Sequence, residues 1–331
     1  MRPDQGERWA RYTLGPVIIT FTANPSLDRS APLAGELRQG AVNRLGQVYR
    51  IAAGKGVNLS AAVWAAGHPT LAIVPVDNND PLADALRSRG LPTRMVPVGR
   101  RARTNLSITH PDGTTTRFHE PGEPLTPENQ TALVSAVLSS VPGASWLALC
   151  GSLPPGAPVD WYVKLAGLAR SVGVKIAVDS NGPALDAVVA EGAAPPDLMS
   201  PNATELHQAT GIPLRAALAA GDLGPAIEAT LALRARGVGC VLSTLAEHGA
   251  LLSCGDGLWH AEPDPVQPVS IVGAGDAALA GMLLAVGGGL DPEACVRRAV
   301  AYGTATVLKP GSEVSSPAEA DAVGVTVRRL A

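Results

Sequence analysis

Short apolar runs alternating with longer Ala/Leu-rich segments of helical period constrain this chain more than any other feature. A strand covered on both faces reads as a continuous apolar run, while a covering helix carries its apolar residues on one stripe. The alternation therefore predicts an α/β fold with a mostly parallel sheet between two layers of helices. Expected strands are Val17 to Phe21, Leu71 to Val76, Trp146 to Cys150, Val174 to Val178, Cys240 to Ser243 and Ala250 to Ser253. Polar residues follow several of them: Thr22 and Asn24, Ser152, Asp179 and Thr244. In an open α/β sheet such residues gather at the carboxyl edge, where ligands bind.

Two stretches, 26–50 and 94–120, break the pattern with polar–apolar alternation and no helix between. In the second, Leu106 to Thr109 and Thr114 to Phe118 flank Pro111-Asp112-Gly113, and Asp-Gly suits a turn that needs positive φ. These stretches predict a small separate β-sheet, carried on two connections as a lid over the edge site. Residues 1–16 are polar and irregular and are expected to be a flexible extension. That leaves 17–331 as one domain, with the lid at about 26–50 and 94–120.

A chain of 331 residues with 46% hydrophobic content can bury a large core. Its formal net charge of -3, with no block of like charges, excludes a basic surface for nucleic acid or an anionic membrane. Apolar runs such as Leu279 to Val286 fall short of the roughly 20 residues that span a bilayer. Cys150, Cys240, Cys254 and Cys295 form no C-x-x-C pair, so neither a disulfide nor a zinc site is expected, and a reducing cytoplasm is the expected location.

The segment Gly273-Ala274-Gly275-Asp276 opens an apolar helical run. Amides at a helix start lack intrahelical acceptors and face the positive end of the dipole, so they can hold an oxyanion or a transferring phosphoryl group. An aspartate there can take the proton of a hydroxyl that attacks phosphorus. Two other readings stay open: Asp276 as a simple helix cap, or Gly273-x-Gly275 as a dinucleotide turn. The latter should follow the first strand of a βαβ unit, whereas this motif lies near the C-terminus. A Walker P-loop is absent.

A second turn, Gly54-Lys55-Gly56-Val57-Asn58, precedes the helical run Leu59 to Ala66 and offers a cation and an amide to a ligand, or is a structural turn with a solvent lysine. Arg44 and Arg103 lie in the two lid stretches and could complete a phosphate site, though arginines are commonly solvated. Asp28, after Asn24-Pro25, is either a turn cap or an acceptor for sugar hydroxyls. Asn202 and Glu205, in Pro201-Asn202-x-x-Glu205, have capping spacing and could equally hold a metal and its water beside phosphates.

Taken in order, Thr22 to Asp28, Val42-Asn43-Arg44, Ala53 to Asn58, Thr104-Asn105-Leu106, Gly151 to Gly156, Pro201-Asn202-x-x-Glu205 and Val272 to Asp276 resemble the ribokinase-like carbohydrate kinases of the PfkB branch. The resemblance runs from about Val17 to Gly311. It implies a three-layer αβα core, a β-sheet lid that forms a homodimer interface, and ATP with Mg2+. It implies Asp276 as base, with the amides of Gly273-Ala274-Gly275-Asp276 as anion hole. Asp28, Gly54, Lys55, Asn58, Arg44 and Arg103 become sugar-phosphate contacts. Asn202, Glu205, Thr244 and Gly249 become the nucleotide region, with Glu205 an indirect magnesium ligand. The implied activity is ATP-dependent phosphorylation of a ketohexose phosphate, foremost fructose 1-phosphate to fructose 1,6-bisphosphate. Tagatose 6-phosphate and fructose 6-phosphate are alternative acceptors, and a catalytically weak sugar-phosphate sensor is the reading of another class. Three positions depart from the pattern: Ser200 where relatives carry lysine, Ala246 where they carry glycine, and Ala277 where they carry serine or threonine.

Overall fold

A computed structural model describes residues 17–255 and 257–331; the expected extension at 1–16 lies outside them. In chain order the strands are β1 Val17–Thr22, β2 Ser26–Pro32, β3 Tyr49–Ala53, β4 Thr70–Pro75, β5 Thr93–Val96, β6 Arg103–Thr109, β7 Thr115–His119, β8 Ala144–Cys150, β9 Lys175–Asp179, β10 Leu198–Met199, β11 Cys240–Thr244, β12 Ala250–Cys254, β13 Gly257–Pro263 and β14 Val325–Arg329. Ten of them form one sheet in the order β14-β13-β12-β11-β10-β9-β8-β1-β4-β5. Pairing is parallel from β5 through to β11 and antiparallel from β11 to β14. Helices cover both faces, and each face has its own apolar cluster: Phe21, Leu149 and Tyr162 in one, Ile18, Leu59 and Leu279 in the other. This is the expected α/β core.

The carboxyl edge is anchored by packing directly beneath it. Phe21, fully buried near the end of β1, meets Trp161 edge-on at 5.4 Å between ring centres and Tyr162 at 6.3 Å. The Tyr162 hydroxyl donates to the Cys150 carbonyl at the end of β8, 2.8 Å away. Removing the Phe21 ring would cost about 3–5 kcal/mol.

The helix Ala274–Gly287 is apolar on every side and buried along most of its length, which is why its sequence resembles a short membrane segment. Among the described residues no helix is long and apolar enough to cross a membrane.

The remaining four strands form a separate sheet in the order β3-β2-β6-β7. β2 pairs antiparallel with β3 and parallel with β6, and β6–β7 is the hairpin read from Pro111-Asp112-Gly113. Gly113 adopts φ 85°, and Asp112 Oδ1 accepts from the Thr114 amide at 2.9 Å. The stretch 94–120 is thus divided, since its first residues lie in β5 of the large sheet beside β4.

One expectation is corrected. Cys240 and Cys254 stand directly opposite each other on antiparallel β11 and β12, with Cα atoms 4.5 Å apart, and are joined by a disulfide. Their separation of 14 positions looks remote in sequence, but the chain reverses at Leu245–Gly249 and brings them into register. Cys150 and Cys295 are free and buried.

Candidate active site

Two helix N-termini meet at the carboxyl edge. One helix, Lys55–Ala65, starts on Gly54 directly after the small sheet; it begins four residues before the apolar run that suggested it. The other starts on Gly273, whose φ of 82° favours glycine. Asn58, in the first turn of one, donates from Nδ2 to Asp276 Oδ2 in the first turn of the other, at 2.8 Å. Asp276 makes no side-chain cap to its helix, so the capping reading fails. Its carboxylate is buried and faces across to Asn58.

The proton affinity of Asp276 follows from that placement. Burial pushes its pKa up to about 7, and the nearby Asp179 carboxylate adds to the rise, while the Lys55 ammonium and the Asn58 amide oppose it. A base that titrates close to neutrality suits proton abstraction from a hydroxyl. Beside it, a methyl group built onto Gly275 would meet nothing within 4 Å. The fold does not demand glycine there, so the clear space in front of the turn is available to a ligand. Asn58 Oδ1 and Ser312 Oγ are buried close to the turn without a partner among the described residues.

Lys55 occupies the centre of the acidic group. Its ammonium bonds Asp179 Oδ1 at 2.5 Å and Glu205 Oε1 at 2.7 Å, with both carboxylates almost wholly buried. Burial alone would lower the lysine pKa, but Asp179, Glu205 and Asp276 together raise it. Glu205 is raised, by burial first and then by Asp179, against the pull of Lys55. Its other oxygen accepts from the Asn202 amide at 2.9 Å, while Asn202 Oδ1 accepts from the amides of Thr204 and Glu205. The capping box and the ion pair therefore coexist on one glutamate.

The small sheet presents a second polar group. Asp28 Oδ1 accepts from Ser26 Oγ at 2.7 Å and from Asn105 Nδ2 at 2.9 Å, the register of β2 and β6 placing Asp28 beside Asn105. Arg103 donates to the carbonyls of Asn24 and Glu120, both at 3.2 Å. Burial lowers its pKa, opposed by Asp28 and Glu120. A cavity of about 310 Å³, lined by Arg101, Arg103, Thr104 and Glu120, opens beside it.

The profile of the pfkB family carbohydrate kinases matches residues 23–319, a span that holds every element of both groups. The chain belongs to this family. It is 33% identical over 315 residues to the 1-phosphofructokinase of Rhodobacter capsulatus, across 94% of this chain and 96% of that protein. It is 32% identical over 272 residues to the 1-phosphofructokinase of Escherichia coli (strain K12), across 80% and 83%. Among solved structures, phosphofructokinase-2 from Escherichia coli in complex with substrates and products matches with a TM-score of 0.83 at 28% identity, covering 92% of this chain and 97% of that one. The chain is a sugar kinase, a phosphotransferase with an alcohol group as acceptor.

Within this kinase the residues expected from sequence divide into three sets. Asp276, Gly273 to Gly275, Asn58, Lys55 and Glu205 come together at the edge. Asp28 and Arg103 form the group on the small sheet, with Gly54 at the junction between the two. Thr244 and Gly249 lie at the turn between β11 and β12, Thr244 bridging to Asn202. Arg44 is brought to none of them: it stays exposed between β2 and β3, and no side-chain contact ties it to the site among the described residues. Asp179, Ser26 and Asn105 enter the site without having been singled out for it. Asp179 was legible only as a polar strand end, and Asn105 only as part of the Thr104-Asn105-Leu106 motif.

Among the described residues no group of three or more His, Cys, Asp or Glu side chains is disposed to hold a metal ion. Asp179 and Glu205 are two hard carboxylate donors converging on one cation, Lys55. Magnesium is commonly held by one or two carboxylates together with substrate phosphates, so the donor set fits a metal that arrives with a nucleotide.

Proposed function

We propose that this kinase transfers the γ-phosphoryl group of ATP to the free primary hydroxyl of fructose 1-phosphate, giving fructose 1,6-bisphosphate. The observation that carries the chemistry is Asp276: a buried carboxylate of near-neutral proton affinity in the first turn of a helix, beside open space at Gly275. The acceptor identity is supported by the 1-phosphofructokinases to which the chain is similar over most of its length.

In this reading Asp28 accepts a hydrogen bond from a sugar hydroxyl and orients the ring, and Arg103 pairs with the phosphate the acceptor already carries. Asp276 receives the proton of the attacking hydroxyl as the new O–P bond forms and the bond from the γ-phosphorus to the bridging oxygen breaks. Amides of the Gly273 turn hold the phosphoryl oxygens, which keep their negative charge throughout. Asn202, Thr244 and Gly249 border the nucleotide. Glu205, whose two oxygens are taken by Lys55 and the Asn202 amide, would hold Mg2+ indirectly through water, and the ion would neutralise phosphate charge. The small sheet acts as a lid, and its exposed Leu37, Val42, Tyr49 and Phe118 support pairing of two copies through that face. A cytoplasmic location suits these substrates.

A coupled ADP-release assay over fructose 1-phosphate, fructose 6-phosphate, tagatose 6-phosphate and free fructose tests the reading. The expected result is the highest kcat/KM for fructose 1-phosphate. A preference for another acceptor would overturn the substrate assignment. Tight binding of fructose 1-phosphate without ADP release would favour a sensor, a reading that Ala246 and Ser200 on the nucleotide side make worth testing.

A further inference from the structure

The two cations of the site have different counter-ions. Arg103 answers to Asp28 and Glu120 on the small sheet. Lys55 is ion-paired with Asp179 and Glu205 at the edge of the large sheet, and Asn58 of the same first turn bonds Asp276. In the reading above, the carboxylates around Lys55 belong to the nucleotide and base side of the site, and Asp28, near Arg103, to the sugar side. We propose that Lys55 contacts the phosphoryl group in transit and not the phosphate that the acceptor brings. The inference rests on the kinase reading above and departs from the sugar-phosphate role that the sequence suggested for Lys55.

Three features support it. An ammonium has three donors, and Asp179 and Glu205 occupy two of them. The third is unassigned among the described residues, and a quarter of the side chain is exposed, so an incoming anion can reach it. Lys55 is also the first residue of its helix, and Asn58 of that same first turn bonds the base. This ties the ammonium to the turn in front of which the phosphoryl group must pass. Finally, Ser200, where the family resemblance implies a lysine, is buried at the end of β10, its Oγ has no partner among the described residues, and it brings no charge. Negative charge spreads over the oxygens of a phosphoryl group in flight, and Lys55 is the cation placed among the carboxylates to meet it.

The test compares wild-type protein with Lys55→Met, Lys55→Arg and Arg103→Met, each confirmed as folded by its melting transition. Lys55→Met is expected to lower kcat by about 10²- to 10³-fold, as loss of one charge-stabilising donor does, and Lys55→Arg to restore part of it. Binding of a non-hydrolysable ATP analogue should weaken about tenfold relative to ADP, while fructose 1-phosphate binding without nucleotide changes by less than about threefold. Arg103→Met should do the reverse, weakening fructose 1-phosphate by more than about tenfold and leaving the analogue-to-ADP ratio intact. Loss of fructose 1-phosphate affinity in Lys55→Met with that ratio unchanged would overturn the proposal. So would recovery of its kcat at alkaline pH, which would show that Lys55 acts only by holding down the proton affinity of Asp276. If the wild type fails to turn over fructose 1-phosphate the acceptor assignment fails by itself, and the analogue-to-ADP ratio in Lys55→Met still decides the role of Lys55.

Discussion

At the Gly273–Asp276 turn a methyl added to Gly275 would find open space, whereas at the Leu245–Gly249 turn the same atom on Gly249 would sit 1.9 Å from the Ala261 carbonyl oxygen. Both turns lie at one edge of one sheet, and both carry a glycine that looked functional in sequence. At the first, space is held open at a helix N-terminus. At the second, β13 fills the space and the glycine is there so that two backbones can approach. The lesson is that a glycine in a functional motif has two physical meanings, and only the surroundings of its absent side chain separate them.

The largest effect expected at the open turn comes from its base. Asp276→Asn should keep the Asn58 contact and lower kcat by about 10³- to 10⁴-fold, the scale of general-base catalysis. In wild type, kcat/KM should rise with pH through about 7 and level off above it, because the deprotonated carboxylate is the active form. The stability signs run the other way. The folded carboxyl keeps its proton up to about pH 7, while an unfolded one releases it near pH 4. Between those values the folded state binds more protons, so raising the pH costs wild-type stability. Asn removes that cost, so urea melts should show the variant more stable by up to about 4 kcal/mol above pH 7, and no more stable near pH 4. Equal stabilities at pH 8 would show that the open turn stores no such cost.

The two alanine substitutions address the comparison directly. Gly249→Ala should destabilise the fold by at least about 3 kcal/mol, because backbone must move and φ is 75°. Gly275→Ala should leave the melting temperature unchanged or slightly raised, since alanine favours helix, and should lower kcat about 10²-fold by filling the space the phosphoryl group needs. Activity retained in a stable Gly275→Ala protein would break the contrast.

How far each region was legible in sequence follows the same line. The parallel core was readable because buried strands are continuous apolar runs, and the hairpin because Asp112-Gly113 encodes its own turn. Asp276 and Asp28 stood out because each sits in a short motif. Asp179 did not, since its partner Lys55 is 124 positions away and only the fold brings them together. The Cys240–Cys254 pair was missed for a related reason: it depends on where β11 and β12 reverse, not on cysteine spacing. Arg44, exposed between β2 and β3, is a different case, because membership of a stretch does not say which way its loop turns a side chain.

The smallest effect expected lies at the packed turn. Ala246 is the one non-glycine residue with positive φ, 54°, among those described, and the left-handed region costs a residue with a Cβ about 1 kcal/mol. Glycine adopts that φ without strain, so Ala246→Gly should raise stability by about 0.5–1 kcal/mol in a urea titration, against the usual penalty for glycine. Nucleotide affinity measured on the same protein separates two causes. If the methyl stands where ATP approaches, Kd for ATP falls along with the strain. If Kd is unchanged while stability rises, the methyl strains only the packed turn, and the Leu245–Gly249 segment serves the sheet more than the nucleotide. A stability decrease would mean that contacts of the Ala246 methyl outweigh its backbone strain, and the packed turn would then be tighter than its φ angles imply.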